Sequence, residues 1–139
     1  MGGVLTPAAF YFLRHGETDW NRRRIIQGQT DTELNATGLA QAAAVAAMVA
    51  KLPVATICCS PLRRATRTAE IVNHEVGKPV VPVADLMECG LGFCEGQASN
   101  GEWRAPWERG GPMPGGETFA EYTDRILRGF NKALAQPGP

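Results

Sequence analysis

Three short apolar runs alternate along this chain with three stretches of helical period. Ala8-Ala9-Phe10-Tyr11-Phe12-Leu13 reads as a buried strand that ends abruptly at Arg14-His15-Gly16. Val54 to Cys59 reads as a second strand and Val80-Val81-Pro82-Val83 as a third, placed near a sheet edge because Pro82 has no N–H to donate. Between them, an alanine-rich helix is expected from Thr37 or Gly38 to Lys51, stopped by Leu52-Pro53. Ser60-Pro61 is the expected start of the next helix. Its apolar stripe is Leu62, Ala65, Ala69, Val72 and Val76, and Gly77 is its stop. Thr118-Phe119-Ala120-Glu121 matches a capping box and opens a helix to about Ala135, with Phe119, Tyr122, Ile126, Phe130 and Ala133 inward. No sustained period runs from Asp85 to Gly116, a long loop of the kind that carries function or moves. Alternation of this sort predicts an α/β domain, a three-layer α/β/α sandwich around a mainly parallel sheet, spanning 1–139 as one unit.

Composition narrows the classes. With 44% apolar residues among 139 there is material for a core. No apolar stretch approaches the length of a membrane span, and the first residues lack a basic segment leading into a long apolar one, so the expected location is cytoplasmic. Formal net charge is zero, which argues against nucleic acid as a partner. Yet seven of the 14 Lys and Arg fall within Arg14–Arg24 and Arg63–Arg67, both just after strand-like runs, which points to a local anion pocket. The four cysteines, Cys58, Cys59, Cys89 and Cys94, form no Cys-x-x-Cys pair and read as reduced structural thiols. No metal or cofactor is expected.

The candidate chemistry lies at the end of the first apolar run. Ligands of open α/β sheets bind at the carboxyl ends of strands. An imidazole can act as a nucleophile, a guanidinium grips a phosphoryl group through parallel N–H bonds, and glycine admits close backbone approach. Alone, His15 would be read as a packed or surface histidine. Four ordered segments change that. They are Arg14-His15-Gly16-Glu17-Thr18 with Asn21; Gln27-Gly28 with Asp31, Leu34, Asn35, Gly38 and Gln41; Ser60-Pro61-Leu62-Arg63-Arg64-Ala65 with Thr68-Ala69-Glu70; and Leu86-Met87-Glu88 with Gly92, Glu95-Gly96 and Pro114-Gly115-Gly116-Glu117.

In this order and spacing they resemble the histidine phosphatase superfamily, also called phosphoglycerate mutase-like, from about Phe10 to Phe130. The resemblance implies that His15 is the nucleophile and Glu88 the general acid, a role that needs a carboxyl protonated near neutral pH. It implies that Arg14, Asn21, Gln27, Gly28 and Arg64 bind the substrate phosphate, with Arg64 in the first turn of its helix where free N–H groups favour an anion. Arg63 and Arg67 read as solvated or structural, Arg22 to Arg24 as surface or pocket rim, and Asp31, Gln41 and Glu70 as loop and helix ties. Cys89-Gly90-Leu91 departs from the bulkier or polar stretch the family more often has after the acid.

The family also carries a second active-site histidine on a strand after the last helix seen here. The only other histidine, His74, lies ten residues past Arg64 on the same helix, roughly 15 Å further along it. The expectation is a domain lacking its C-terminal strand and helix, either because the chain is a fragment, the preferred reading, or because the protein ends there. In the second case Ala8–Leu13 would expose an unpaired edge and the chain would dimerise or swap elements. The implied function is a phosphomonoester hydrolase acting through a phosphohistidine on a small phosphorylated metabolite. The short Gln97–Met113 segment, where family mutases carry a long insertion, favours hydrolysis over phosphoglycerate mutase-type transfer. The missing histidine keeps a non-catalytic phosphate-binding or interaction protein as the other alternative.

Overall fold

A computed structural model describes residues 3–138. The chain runs through α1 (Asp19–Arg22), α2 (Ala36–Val49), β1 (Ile57–Cys59), α3 (Arg63–Val76), β2 (Val80–Pro82), α4 (Arg104–Glu108) and α5 (Phe119–Leu134), with single 3₁₀ turns at Ala84–Leu86 and Gly92–Cys94. Strands β1 and β2 pair in parallel, Ile57 opposite Val80 and Cys59 opposite Pro82, so the α3 crossover between them gives a mixed α/β fold with a parallel sheet. Pro82 sits on the outer strand, where its missing donor costs no ladder bond.

Strand alternation sends the two adjacent cysteines to opposite faces. Cys58 points its thiol at Ala133 O of α5, and Cys59 is buried on the side where it feels Glu70 of α3. The sheet thus packs on α3 with one face and turns the other toward α5. Helices α2 and α3 pack together through small residues, Gly38, Ala42 and Ala46 on one and Thr68, Ala69 and Val72 on the other, which lets their axes approach closely.

The expected strand at Ala8–Arg14 is not one. That segment pairs with no strand among the described residues and is largely exposed, Phe12 at 76%. An apolar run supplies side chains to bury but not a backbone partner to pair with, and here β1 lies across an open cavity of about 1060 Å³ lined by both segments. The segment leans instead on α5. Phe10 stacks on Phe130 with ring centroids 5.6 Å apart, and Asn131 bonds Thr6 N–H and Val4 O through its amide.

Three further expectations are adjusted. Helix α3 begins at Arg63 after Leu62, because Ser60 Oγ accepts the N–H of Leu62 and holds Ser60-Pro61 in a turn before the helix. The loop before Asn35 contains α1, whose capping box joins Thr18 and Asn21. The 85–116 stretch is a second small core: Cys89, Leu91, Trp107 and Met113 are buried, with Trp107 against Phe119, Tyr122 and Trp103 at 5.2, 5.7 and 5.5 Å. Trp103 and Trp107 are packing anchors. The capping box of α5 forms as read, Thr118 with Glu121. No helix among the described residues is long and apolar enough to cross a membrane.

Candidate active site

Gly16 decides where His15 can stand. A Cβ at Gly16 would meet the carbonyl of Gly38, and one at Gly38 would meet that of Glu17, so both positions admit only hydrogen. The start of α2 therefore presses directly on the segment that carries the histidine. Thr68 Oγ1 accepts the Gly16 N–H at 3.1 Å and donates to Arg64 O at 2.7 Å, tying that segment to α3 as well. Glu17 N–H donates to Gln41 Oε1, and Asn35 N–H to Glu17 O, closing the turn.

His15 Nδ1 lies 2.7 Å from Gly16 O. A carbonyl can only accept, so the proton of the neutral ring sits on Nδ1 and the lone pair on Nε2. Burial lowers the His15 pKa below its ordinary value. The Gly16 bond opposes that shift, while the Arg64 and Arg14 guanidinium charges reinforce it. The net result is a neutral imidazole with one basic nitrogen, beside the guanidinium charges of Arg64 and Arg14.

Arg64 is 2% exposed, and three hydrogen bonds to the 28–32 loop hold its guanidinium in place. It donates through Nη1 to Thr30 O at 2.6 Å and to Thr32 Oγ1 at 3.2 Å, and through Nη2 to Gly28 O at 2.5 Å. Burial works against its charge, and Glu88, Asp31 and Glu95 offset that cost. Gly28 adopts φ +52, a conformation that suits glycine, and a Cβ there would run into the Glu95 carboxylate. Glu95 in turn accepts from Gln29 N–H, Leu91 N–H and Thr30 Oγ1, latching the 27–30 loop to the second core. Asp31 Oδ1 accepts the Arg63 N–H and thereby holds the start of α3.

Arg14, His15, Gln27, Arg64 and Glu88, from four separated parts of the chain, line the same large cavity. Asn21 and Gly28 are set back from it. Asn21 Oδ1 takes the N–H of Thr18, and Gly28 offers its carbonyl to Arg64. Gln27 presents its Oε1 to the hydroxyls of Thr18 and Thr32 at 2.5 and 2.6 Å, which aims its amide nitrogen elsewhere. His74 sits in the last turn of α3, away from this group.

The comparisons with known proteins decide what such a site belongs to. Residues 10–139 match the family model described as the histidine phosphatase superfamily, branch 1. This chain is a member of the histidine phosphatase superfamily. It is 41% identical over 124 residues to a protein of Bacillus subtilis (strain 168) named uncharacterized phosphatase PhoE, covering 89% of this chain and 63% of that one. It is 35% identical over 136 residues to the probable phosphoglycerate mutase GpmB of Serratia proteamaculans (strain 568), covering 91% and 63%. The chain therefore spans 63% of the length of these relatives. Among solved structures, a mycobacterial glucosyl-3-phosphoglycerate phosphatase complexed with VO3 superposes with TM-score 0.77 at 32% identity, covering 88% of this chain and 65% of that one. A putative alpha-ribazole-5'-P phosphatase from Escherichia coli gives TM-score 0.74 at 28% identity, covering 84% and 62%.

Within this histidine phosphatase fold, the residues that hold the site in shape carried little signal in the sequence. Thr68 and Glu95 were visible only as members of motifs. Arg125 carried no signal of its own, although it lies eight residues after Glu117 on the inward side of a helix whose start was legible.

Proposed function

We propose that this chain is a phosphomonoester hydrolase that works through a phosphohistidine on His15. The observation that carries the reading is the His15 ring, neutral and with Nε2 free, lining one cavity with Arg14, Arg64 and Glu88. In the first step the Nε2 lone pair forms a bond to phosphorus as the ester P–O bond breaks. The departing alkoxide takes a proton from Glu88. In the second step water attacks the phosphohistidine, its proton passes to the Glu88 carboxylate, and the P–N electrons return to Nε2. Arg14 and Arg64, with Gln27 beside them, neutralise and orient the phosphoryl oxygens, which is the larger part of catalysis in phosphoryl transfer, while Asn21 and Gly28, set back from the cavity, support Thr18 and Arg64 from behind.

The substrate is a small phosphorylated metabolite; relatives named for phosphatases support hydrolysis over mutase transfer. Four free thiols suit a reducing compartment, and we place the protein in the cytoplasm. The neutral net charge leaves nucleic acid without an electrostatic hold, and the exposed Phe12 face offers a surface for a homodimer.

The test is trapping. After brief incubation with a ³²P-labelled phosphomonoester, the wild-type chain is expected to hold acid-labile, base-stable label, and His15→Ala to hold none. Equal labelling of the two sinks the reading. Phosphate binding without labelling assigns the chain to the non-catalytic class.

A further inference from the structure

One half-buried ion pair of this molecule lies outside the group that lines the cavity, and its bonding goes beyond what an ion pair requires. Arg125 of α5 and Glu117, just before that helix, are 13% and 21% exposed at their side chains. Arg125 Nε and Nη2 meet the two Glu117 oxygens at 2.7 and 2.8 Å, a parallel fork. The remaining N–H groups go to backbone: Nη1 to Asp85 O at 2.9 Å and Met87 O at 2.8 Å, and Nη2 to Glu88 O at 3.0 Å. All five guanidinium donors are used, three of them on carbonyls within a four-residue span that ends at Glu88. Glu117 completes the frame from the other side by accepting the Gly90 N–H at 2.7 Å. Gln29, beside the Gln27-Gly28 loop, donates to the same Glu88 carbonyl at 3.2 Å.

We propose that Arg125 is a positioning residue for Glu88. By clamping the carbonyls of Asp85, Met87 and Glu88 it fixes the backbone from which the Glu88 carboxyl reaches the cavity shared with His15. The inference rests on the reading of Glu88 as the acid of the hydrolysis. Glu88 sits in irregular chain after a single 3₁₀ turn, with no helix or strand to hold its direction. Its own Oε1 accepts the Cys89 N–H at 2.9 Å, so the carboxyl orientation follows the local backbone. A proton donor misplaced by an ångström loses much of its effect, and a fivefold-bonded guanidinium is the means by which a loop is held to that tolerance. The ring of Tyr122 lies 5.5 Å from the Arg125 guanidinium carbon and keeps the fork flat against α5.

The test exploits leaving-group dependence. Propyl phosphate needs a proton at its departing oxygen; 4-nitrophenyl phosphate does so far less. Arg125→Met is expected to lower kcat/KM for propyl phosphate, which reports formation of the phosphohistidine alone, about tenfold to a hundredfold, the range for residues that orient a first-line group, with kcat/KM for 4-nitrophenyl phosphate affected less than threefold. Arg125→Lys keeps the charge beside Glu117, and so the fold, but one ammonium cannot reach three carbonyls; it should retain most of the propyl phosphate defect. Full recovery by lysine would mean that the pair only stabilises the fold, and would overturn the proposal. An activity-independent arm is amide hydrogen exchange, where Cys89 and Gly90 should lose protection by about tenfold in Arg125→Lys while α3 does not; unchanged protection also overturns it. Glu88→Gln separates the two ideas. If that variant lowers kcat/KM for both esters equally, the reading of Glu88 as acid fails. If it is selective for propyl phosphate and Arg125→Lys is not, only the positioning role fails.

Discussion

Residues 8–13 and residues 16–38 meet at His15 and are held in different ways. Behind the histidine, an apolar segment stacks Phe10 on Phe130 of α5, follows residues that Asn131 bonds at Val4 and Thr6, and leaves Phe12 in solvent. Ahead of it, polar groups are bonded residue by residue: Gly16 to Thr68, Glu17 to Gln41 and Asn35, Thr18 to Asn21 and Gln27. No buried side-chain nitrogen or oxygen among the described residues lacks a partner. The comparison teaches that the direction of the His15 ring is set by the hydrogen-bonded side. Hydrophobic burial is non-directional, whereas a bonded network has one satisfied arrangement. The same contrast ranks the consequences of mutation.

The bonded side should break hardest at Arg64. Arg64→Met leaves Gly28 O and Thr30 O without their buried donor and removes a cation beside His15. Loss of these charge-assisted bonds should cost about 2–4 kcal/mol, read as a shift in urea midpoint at unchanged slope. Phosphohistidine formation should slow by roughly a hundredfold or more, the range for loss of a donor at developing charge. A stable, active Arg64→Met protein would show that the 27–30 loop is held by Glu95 alone.

Next in size is a purely steric change. Gly38→Ala places a methyl against the Glu17 backbone, which is pinned by Asn35 and cannot yield cheaply. Overpacking of this kind costs about 1–3 kcal/mol. Because the displaced backbone adjoins His15, phosphorylation should fall more than stability does, whereas Gly77→Ala, where nothing crowds the Cβ, should cost only the positive-φ strain of about 1 kcal/mol and spare the site. Thermal melts and labelling of the two variants check the contrast.

A smaller effect reads the electrostatics. Arg14 holds down the His15 pKa, so Arg14→Met should raise it toward 6.5, measured by NMR titration of the ring protons. The sign for stability follows. Folding lowers this pKa, so the unfolded chain binds the proton more readily, and stability is undiminished above pH 6.5 and declines as pH falls through the window below it. Arg14→Met should narrow that window. A titration unmoved by the substitution would leave burial and Arg64 as the causes.

These effects also mark what could be read in advance. The helix ends were legible because their signals are short-range: Thr118 to Glu121 for a cap and Gly77 for a stop, each with a physical meaning within a few residues. Helices α2, α3 and α5 were accordingly found to within a few residues. The Ala8–Leu13 run misled because pairing is a long-range property, and the run carries no information about which backbone would lie beside it. Arg125 was hidden for the same reason. Its three carbonyl partners stand 37 to 40 residues away, and carbonyls are the same at every position, so no residue type announces them.

The least disruptive changes test the apolar side directly. Phe12 is 76% exposed, so Phe12→Ser should alter stability by no more than about 0.5 kcal/mol, the range for surface positions. Phe10 stacks on Phe130, and Phe10→Ala should cost roughly 1 kcal/mol, mostly the aromatic contact. Neither should move the His15 titration, because the ring is oriented by Gly16 and the Gly16 N–H by Thr68. A Phe12→Ser loss of several kcal/mol would mean that this side chain is buried in solution. The apolar run would then be a packed element, and its partner rather than the Gly16–Thr68 bond would be what aims the histidine.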